Sequence, residues 1–258
     1  MENGKEPWAL LLAGGDGLRL RSLTRELAGD ERPKQFCRVM SGETLLEQTW
    51  RRALLTVHRA NVMAVVTKRH ERFYRSQLST IEIPQVVSQP ENRGTAPGIL
   101  YPLLRLADLA PDASVAIFPS DHHVSDDRRF AGHVDRAFRA MEADPERVCG
   151  TASSWSAAFG AFLDLIRDCL PSLFDAFAAL EPRIGGPGEA EAVAALYRRL
   201  ASADFSHEVL AARPGALGVI PVWGVTWSDL GSPERVLRVR QQLEPRIRAR
   251  ASGWSASL

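Results

Sequence analysis

From Trp8 to Gly150 the chain alternates short apolar, β-rich runs with longer amphipathic segments, and that rhythm restricts the fold more than any other property of the sequence. Residues 8–13, 62–67, 85–88 and 114–118 have the length and residue types of buried strands. Between them, residues 45–56, 71–78, 95–109 and 127–143 place apolar side chains at helical spacing. Strands that alternate with helices are joined by crossovers. The pattern therefore predicts an α/β fold: a Rossmann-like, mostly parallel sheet with helices on both faces. Ligands of such sheets sit at the carboxyl ends of the strands.

After Gly150 the character changes. Residues 157–180 and 189–200 are rich in alanine and leucine at helical spacing, with Gly185-Gly186-Pro187-Gly188 between them, so this part is expected to be mainly helical. One more strand is expected at 217–222 and a last helix from Pro233 to about Ile247. The expected organisation is one domain over 1–247, with halves 1–150 and 151–247, and a disordered tail over 248–258.

Composition narrows the partners. With 45% hydrophobic residues the 258-residue chain can bury a core, and a net charge of +1 supplies no overall field to recruit nucleic acid or an anionic membrane. Any anion site must be local. Cys37, Cys149 and Cys169 are odd in number and far apart, which fits neither a disulfide framework nor a zinc site. The start of the chain is not read as a signal peptide and no run has transmembrane length, so a cytoplasmic location is expected.

The first strand runs into Gly14-Gly15-Asp16-Gly17, three glycines in four positions. Without Cβ atoms a backbone can approach a ligand closely, and amide N–H groups in such a turn point at anions. Arg19, Arg21 and Arg25 follow closely enough to set at least one guanidinium against phosphate oxygens, and Lys34, after stiff Pro33, adds a mobile point charge. Two better-known glycine motifs do not fit. No Gly-Lys-Ser/Thr follows Gly17, and G-x-G-x-x-G fails where Leu20 replaces its last glycine.

Residues 114–118 lead into Pro119-Ser120-Asp121-His122-His123, which sets Asp121 at a strand end. A carboxylate there suits Mg2+, which takes one or two protein carboxylates and fills its other positions with water and phosphate oxygens; capping the turn is the plainer role. His122 and His123 lack spaced partners for zinc, so one is expected to orient the loop and the other to be solvated. In 89–97, amides and a hydroxyl suit a base edge, while Thr95 also suits a helix N-cap.

The strings LAGGDGLRL and RPKQF resemble the signature of sugar-phosphate nucleotidyltransferases, and within them the mannose-1-phosphate guanylyltransferase branch, whose members read L-A-G-G-x-G-x-R-L and P-K-Q-F. Leu18 stands where a small hydroxyl residue is usual, and Ser22 where proline is common. The resemblance implies that a sugar 1-phosphate oxygen attacks the α-phosphorus of a nucleoside triphosphate and pyrophosphate leaves. GTP and mannose 1-phosphate are the favoured pair, and Mg2+ the cofactor. Leu12, Ala13, Gly14, Gly15 and Gly17 would then hold the nucleotide with Arg19, and Lys34 would stabilise charge at the reacting phosphate. Gln89, Asn92, Gly94 and Thr95 would contact base and ribose. Asp229, in a stretch resembling Trp-x-Asp-hydrophobic-Gly, would pair with Asp121 as the second metal carboxylate. Asp204 falls in a segment similar to one near the sugar side. No nucleic acid or membrane is implied, and the family includes homodimers.

The same resemblance marks a break. Between Gly150 and the helix at Phe162, members carry a Pro-Glu-Thr-Gly-Tyr-Gly-Tyr-Ile-like strand, a Glu-Lys-Pro motif and a Trp-Asn-Ser-Gly turn, whereas here only 151–160 intervene, with Trp155-Ser156 similar to the last turn. The sugar pocket is thus expected to be shortened and sheet edges exposed. The alternative function is a catalytically impaired nucleotide- or nucleotide-sugar-binding relative with a regulatory role.

Overall fold

The structure, a computed structural model, describes residues 6–40 and 42–254, with side chains up to residue 243. β1 (Pro7–Leu12) pairs in parallel with β2 (Val62–Thr67), and β2 with β3 (Gln85–Gln89). On its other side β1 pairs in parallel with β4 (Ser114–Pro119). A short β5 (His123–Val124) leaves this sheet, and β6 (Val148–Gly150), β7 (Trp155–Ala158) and β8 (Leu217–Val219) complete it in the order β3-β2-β1-β4-β7-β6-β8. Only β7 among the seven runs against its neighbours. β9 (Trp227–Ser228) pairs antiparallel with β5, tying the end of the chain over the top of β4.

The strands are apolar on both faces because helices cover both. In β1, Trp8 and Leu10 join the core formed with α4 (Thr95–Leu109), α6 (Phe159–Cys169), α7 (Pro171–Ala178) and α8 (Glu189–Tyr197). Ala9 and Leu11 alternate onto the opposite core, against α2 (Leu45–Ala53), α3 (Glu71–Ile81) and α5 (Asp127–Ala143). Each fully buried leucine contributes about 1.5–3 kcal/mol of apolar burial. α1 (Arg21–Ala28) and α9 (Pro233–Trp254) meet in a third cluster around Leu20, Leu45, Leu230 and Val236.

Helix starts follow from side-chain capping. Thr44 and Glu47 form a reciprocal capping box at α2, and Asp126 accepts the Arg129 N–H at 2.9 Å to open α5. A buried ion pair joins these two helices: Arg52, 2% exposed, donates to Asp127 at 2.7 Å, and Arg51 reaches the other carboxylate oxygen at 3.0 Å.

Where the structure departs from the sequence reading, pairing and proline explain it. The 157–180 segment is not one helix. Ala157 is fully buried opposite Val115 in the centre of the sheet, where a small side chain suits a crowded strand, and Pro171 opens α7 after α6 has ended. The helix expected at 45–56 ends at Ala53, and the strand expected at 217–222 ends at Val219. α9 continues past Ile247 to Trp254, and 255–258 of the expected tail lie outside the described residues. The exposed edge expected after Gly150 is filled by β7, which turns back from β6 through Thr151–Ser154 with the Thr151 N–H donating to the Ser154 carbonyl at 2.9 Å. All three cysteines are free thiols.

Candidate active site

At the carboxyl ends of β1, β3 and β4 lies a cleft of about 420 Å³ lined on one side by Leu12, Gly14 and Gly15, and on another by Gln89, Asn92, Gly94 and Thr95. Asp121, His122, Trp155 and Asp204 close it. Eight of the residues expected to hold nucleotide or metal therefore share one cavity. A larger hollow of about 600 Å³ opens at the opposite ends of the strands, but Asp112, Glu146, Asp164 and Asp168 on its wall outnumber its one cation, Arg167, which pairs with Asp164, so the wall disfavours an anion.

The glycine turn is held by its carbonyls, and among the described residues no hydrogen bond engages the Gly14 or Gly15 N–H. Thr67 donates to the Gly14 carbonyl at 2.7 Å, and buried Gln35 donates to the carbonyls of Ala13 and Gly15 at 3.0 and 2.7 Å. A Cβ on Gly14 would lie 2.6 Å from Gln89 Nε2, so only glycine lets the turn and the Gln89 amide pass this closely. Ala13 is buried behind the cleft, and Gly17 packs on Pro33 and Lys34. Asp16, not among the residues expected at the site, accepts from Asn92 at 3.2 Å and pairs with His70 at 3.2 Å. It pins the turn to the loop that carries Asn92.

That loop is fixed from both ends. The Asn92 side chain accepts the Gly94 N–H at 3.0 Å, and Gly94 holds φ 89° with no room for a Cβ, which would lie 2.2 Å from the Ala203 carbonyl oxygen. Thr95 does not cap its own helix. It is the first residue of α4, and its hydroxyl accepts the Phe205 N–H at 2.7 Å, capping instead the π-turn Phe205–Leu210, whose N-cap Asp204 accepts the His207 N–H at 2.9 Å.

Lys34 is not a mobile charge. It is 7% exposed, with Nζ 3.3 Å from the Asp121 carboxylate and donating to the carbonyls of Asp229 and Leu230 at 2.6 and 3.1 Å. Leu230 sits at φ 47°, unfavourable for a branched residue, and is completely buried, which holds that turn in place. Burial pushes the Asp229 carboxyl up, but hydrogen bonds from Arg235 and the Gly231 N–H outweigh it and hold the group below its usual value. Asp121 faces Lys34 through its carboxylate, whereas Asp229 meets Lys34 through its backbone carbonyl and turns its carboxylate to Arg235, so each carboxylate already faces a cation. Two carboxylates are the donor set of a hard divalent ion that completes its shell with phosphate oxygens. Among the described residues no cluster of three or more His, Cys, Asp or Glu could hold a metal by itself.

Arg19 is not brought into the cleft; it is exposed, and among the described residues no ion pair engages it. Arg21 and Arg25 pair with Glu31 instead. Neither histidine is solvated as expected. His123 is buried in β5, and His122 Nδ1 lies 3.0 Å from Ser153 Oγ and accepts the Trp227 indole N–H at 3.2 Å. Burial holds the His122 pKa down, against the upward pull of Asp121. Trp155, Ser153 and Trp227 are not among the expected site residues, although Trp155-Ser156 and the Trp-x-Asp-hydrophobic-Gly stretch that contains Trp227 both stand out in the sequence.

The profile of the nucleotidyl transferase family matches residues 8–160, more than half of the chain. The chain belongs to that family. It is 30% identical over 135 residues to the xanthan biosynthesis protein XanB of Xanthomonas campestris pv. campestris (strain B100), a match covering 52% of this nucleotidyl transferase and 28% of that protein. With the mannose-1-phosphate guanylyltransferase of Escherichia coli it shares 29% identity over 119 residues, 45% of this chain and 24% of that one. The matched part is therefore less than a third of either relative's length. A Thermus thermophilus crystal structure described as a mannose-1-phosphate geranyltransferase superposes with a TM-score of 0.72 at 21% identity, over 88% of this chain and 76% of that one. That likeness establishes the nucleotidyltransferase fold with its helical second part. Among the described residues no helix is long and apolar enough to cross a membrane.

Proposed function

We propose that this nucleotidyl transferase joins a nucleoside triphosphate, GTP favoured, to a sugar 1-phosphate, mannose 1-phosphate favoured, releasing pyrophosphate. The observation that carries the reading is the meeting of three parts at one strand end: the glycine turn, the Gln89 to Thr95 loop, and the Lys34–Asp121–Asp229 cluster. Names of partial relatives point to the same substrates.

Such a transfer needs alignment and charge neutralisation more than acid–base groups. The free amides of Gly14 and Gly15, with Arg19 swinging in from the rim, would hold the β and γ phosphates. Gln89, Asn92, Gly94 and Thr95 would seat base and ribose against a loop that is already rigid. Lys34 would stabilise charge on the reacting phosphate from a position fixed by two carbonyls. Asp121 and Asp229 would hold Mg2+, which supplies charge neutralisation between the two substrates. Binding it requires Asp229 to leave Arg235.

That engagement of Asp229, with a four-residue turn at Thr151–Ser154, favours the second reading, a relative that binds nucleotide without turnover. One assay separates them: pyrophosphate release from GTP, mannose 1-phosphate and Mg2+, beside Lys34→Ala and Asp121→Ala. Release that both variants abolish supports transfer. GTP binding without release from any nucleotide and sugar phosphate selects the binding protein, and absence of nucleotide binding overturns both.

A further inference from the structure

The hydroxyl of Tyr197, on α8 in the second half of the chain, donates to Gln89 Oε1 at 3.1 Å; the Pro97 carbonyl lies farther, at 3.5 Å. Tyr197 is completely buried and Gln89 is 4% exposed. The tyrosine ring is wedged edge-on against Phe177 at 5.9 Å and Tyr101 at 6.4 Å, and Arg93 clamps its backbone carbonyl at 3.0 Å. Gln89 Oε1 is the nearer of its two acceptors, and burial pushes its pKa up so that the proton stays on.

The Gln89 carboxamide has one oxygen and one NH2, and the oxygen is taken. Nε2 therefore points at the Gly14 wall of the cleft, where no hydrogen bond among the described residues engages it. It is not sealed from the cleft either. An almost buried donor facing a ligand cavity without a partner is a recognition group. If the amide were reversed, Tyr197 would have to donate over the longer path to Pro97, and an acceptor would face the cleft instead.

We propose that Tyr197 is a positioning residue for base selection: by fixing the Gln89 carboxamide it makes the cleft present a donor, which selects bases carrying an oxo group at that edge, as in guanine and uracil, over the amino-bearing adenine and cytosine. The proposal rests on the nucleotidyl-transfer reading and adds to it the chemical class of base and a residue far from the reacting phosphate.

The test measures binding of GTP, ATP, UTP and CTP to the whole protein by calorimetry, for the parent chain, Tyr197→Phe and Gln89→Glu. The parent is expected to bind GTP over ATP and UTP over CTP by about tenfold or more, the scale of one matched against one mismatched buried hydrogen bond. In Tyr197→Phe the amide is free to turn, and both ratios should shrink by about tenfold while the triphosphate contacts, read from inorganic triphosphate competition, stay unchanged. Gln89→Glu places acceptors at the wall and should shift the preference toward ATP and CTP; it also decides the matter if Tyr197→Phe does not fold. Unchanged ratios in a folded Tyr197→Phe, or a parent that prefers amino-bearing bases, overturn the proposal. A parent that binds no nucleotide overturns the function beneath it.

Discussion

Replacing Gly94 by alanine tests the site through a backbone constraint and needs no knowledge of the ligand. Gly94 holds φ 89° and ψ 178°, a region that costs other residues about 1–3 kcal/mol. The added Cβ would meet the Ala203 carbonyl oxygen at 2.2 Å, its carbon at 2.9 Å and its nitrogen at 3.0 Å, all backbone atoms that cannot rotate away. Relief requires the 203 segment to move. That breaks the Ala96 N–H bond to the Ala203 carbonyl and the Ala203 N–H bond to the Arg93 carbonyl, both 3.0 Å, at about 1 kcal/mol each. Strain and lost bonds together predict a destabilisation of about 3–5 kcal/mol. Gly132 is the control: it lies on the exposed face of α5, a Cβ there meets nothing within 4 Å, and Gly132→Ala should stabilise by about 0.5–1 kcal/mol through helix propensity. Urea unfolding of both variants beside the parent gives the two numbers. A loss below about 1 kcal/mol for Gly94→Ala, or the same sign for both, would refute the argument that the loop is locked onto the second half of the chain.

On the proposed transfer, Lys34→Met should lower pyrophosphate release by about 100-fold or more while weakening nucleotide affinity far less, since a buried cation set against the reacting phosphate would act mainly in the transition state; steady-state kinetics beside calorimetry reads the split. Asp127→Ala leaves the Arg52 guanidinium buried without its carboxylate and should cost about 3–5 kcal/mol in urea unfolding, whereas Arg52→Met, which leaves Asp127 paired with Arg51, should cost less. Burial pushes the His70 pKa below its ordinary value despite the Asp16 carboxylate, so the unfolded chain takes up that proton more readily than the folded one. Its contribution is complete above about pH 6.5 and is lost as pH falls from there through the lower folded value. The melting temperature should drop between pH 7 and pH 5, and drop less in His70→Gln.

Local pattern and nonlocal pairing divide what could be read in advance. Thr95–Leu109 and Asp127–Ala143 end where the apolar periodicity says they should, because those helices are long and their spacing repeats several times. β6 and β7 are three and four residues long and owe their place to partners, not to their own composition. Ala157 looks helical in sequence and becomes a strand residue because β4 offers it an edge. At the site, Gly14, Gln89 and Asp121 were legible from residue type and position beside a strand end. Tyr197, Trp155 and the constraint on Lys34 were not, since Tyr197 meets Gln89, Trp155 is placed opposite Ile117 of β4, and Lys34 meets Asp121, all distant in the sequence.

The turn between β6 and β7 carries a further meaning for how such a chain can vary. Both strands pair with neighbours besides each other, β7 with β4 and β6 with β8, so the sheet does not depend on the length of what joins them. Loop-closure entropy grows by only about 0.6 kcal/mol for each doubling of a flexible connection. The position between Gly150 and Trp155 is therefore a splice point. Extra chain grafted there would emerge beside the cleft that Trp155 lines, so the cleft's rim can be exchanged as a cassette while the sheet stays as it is.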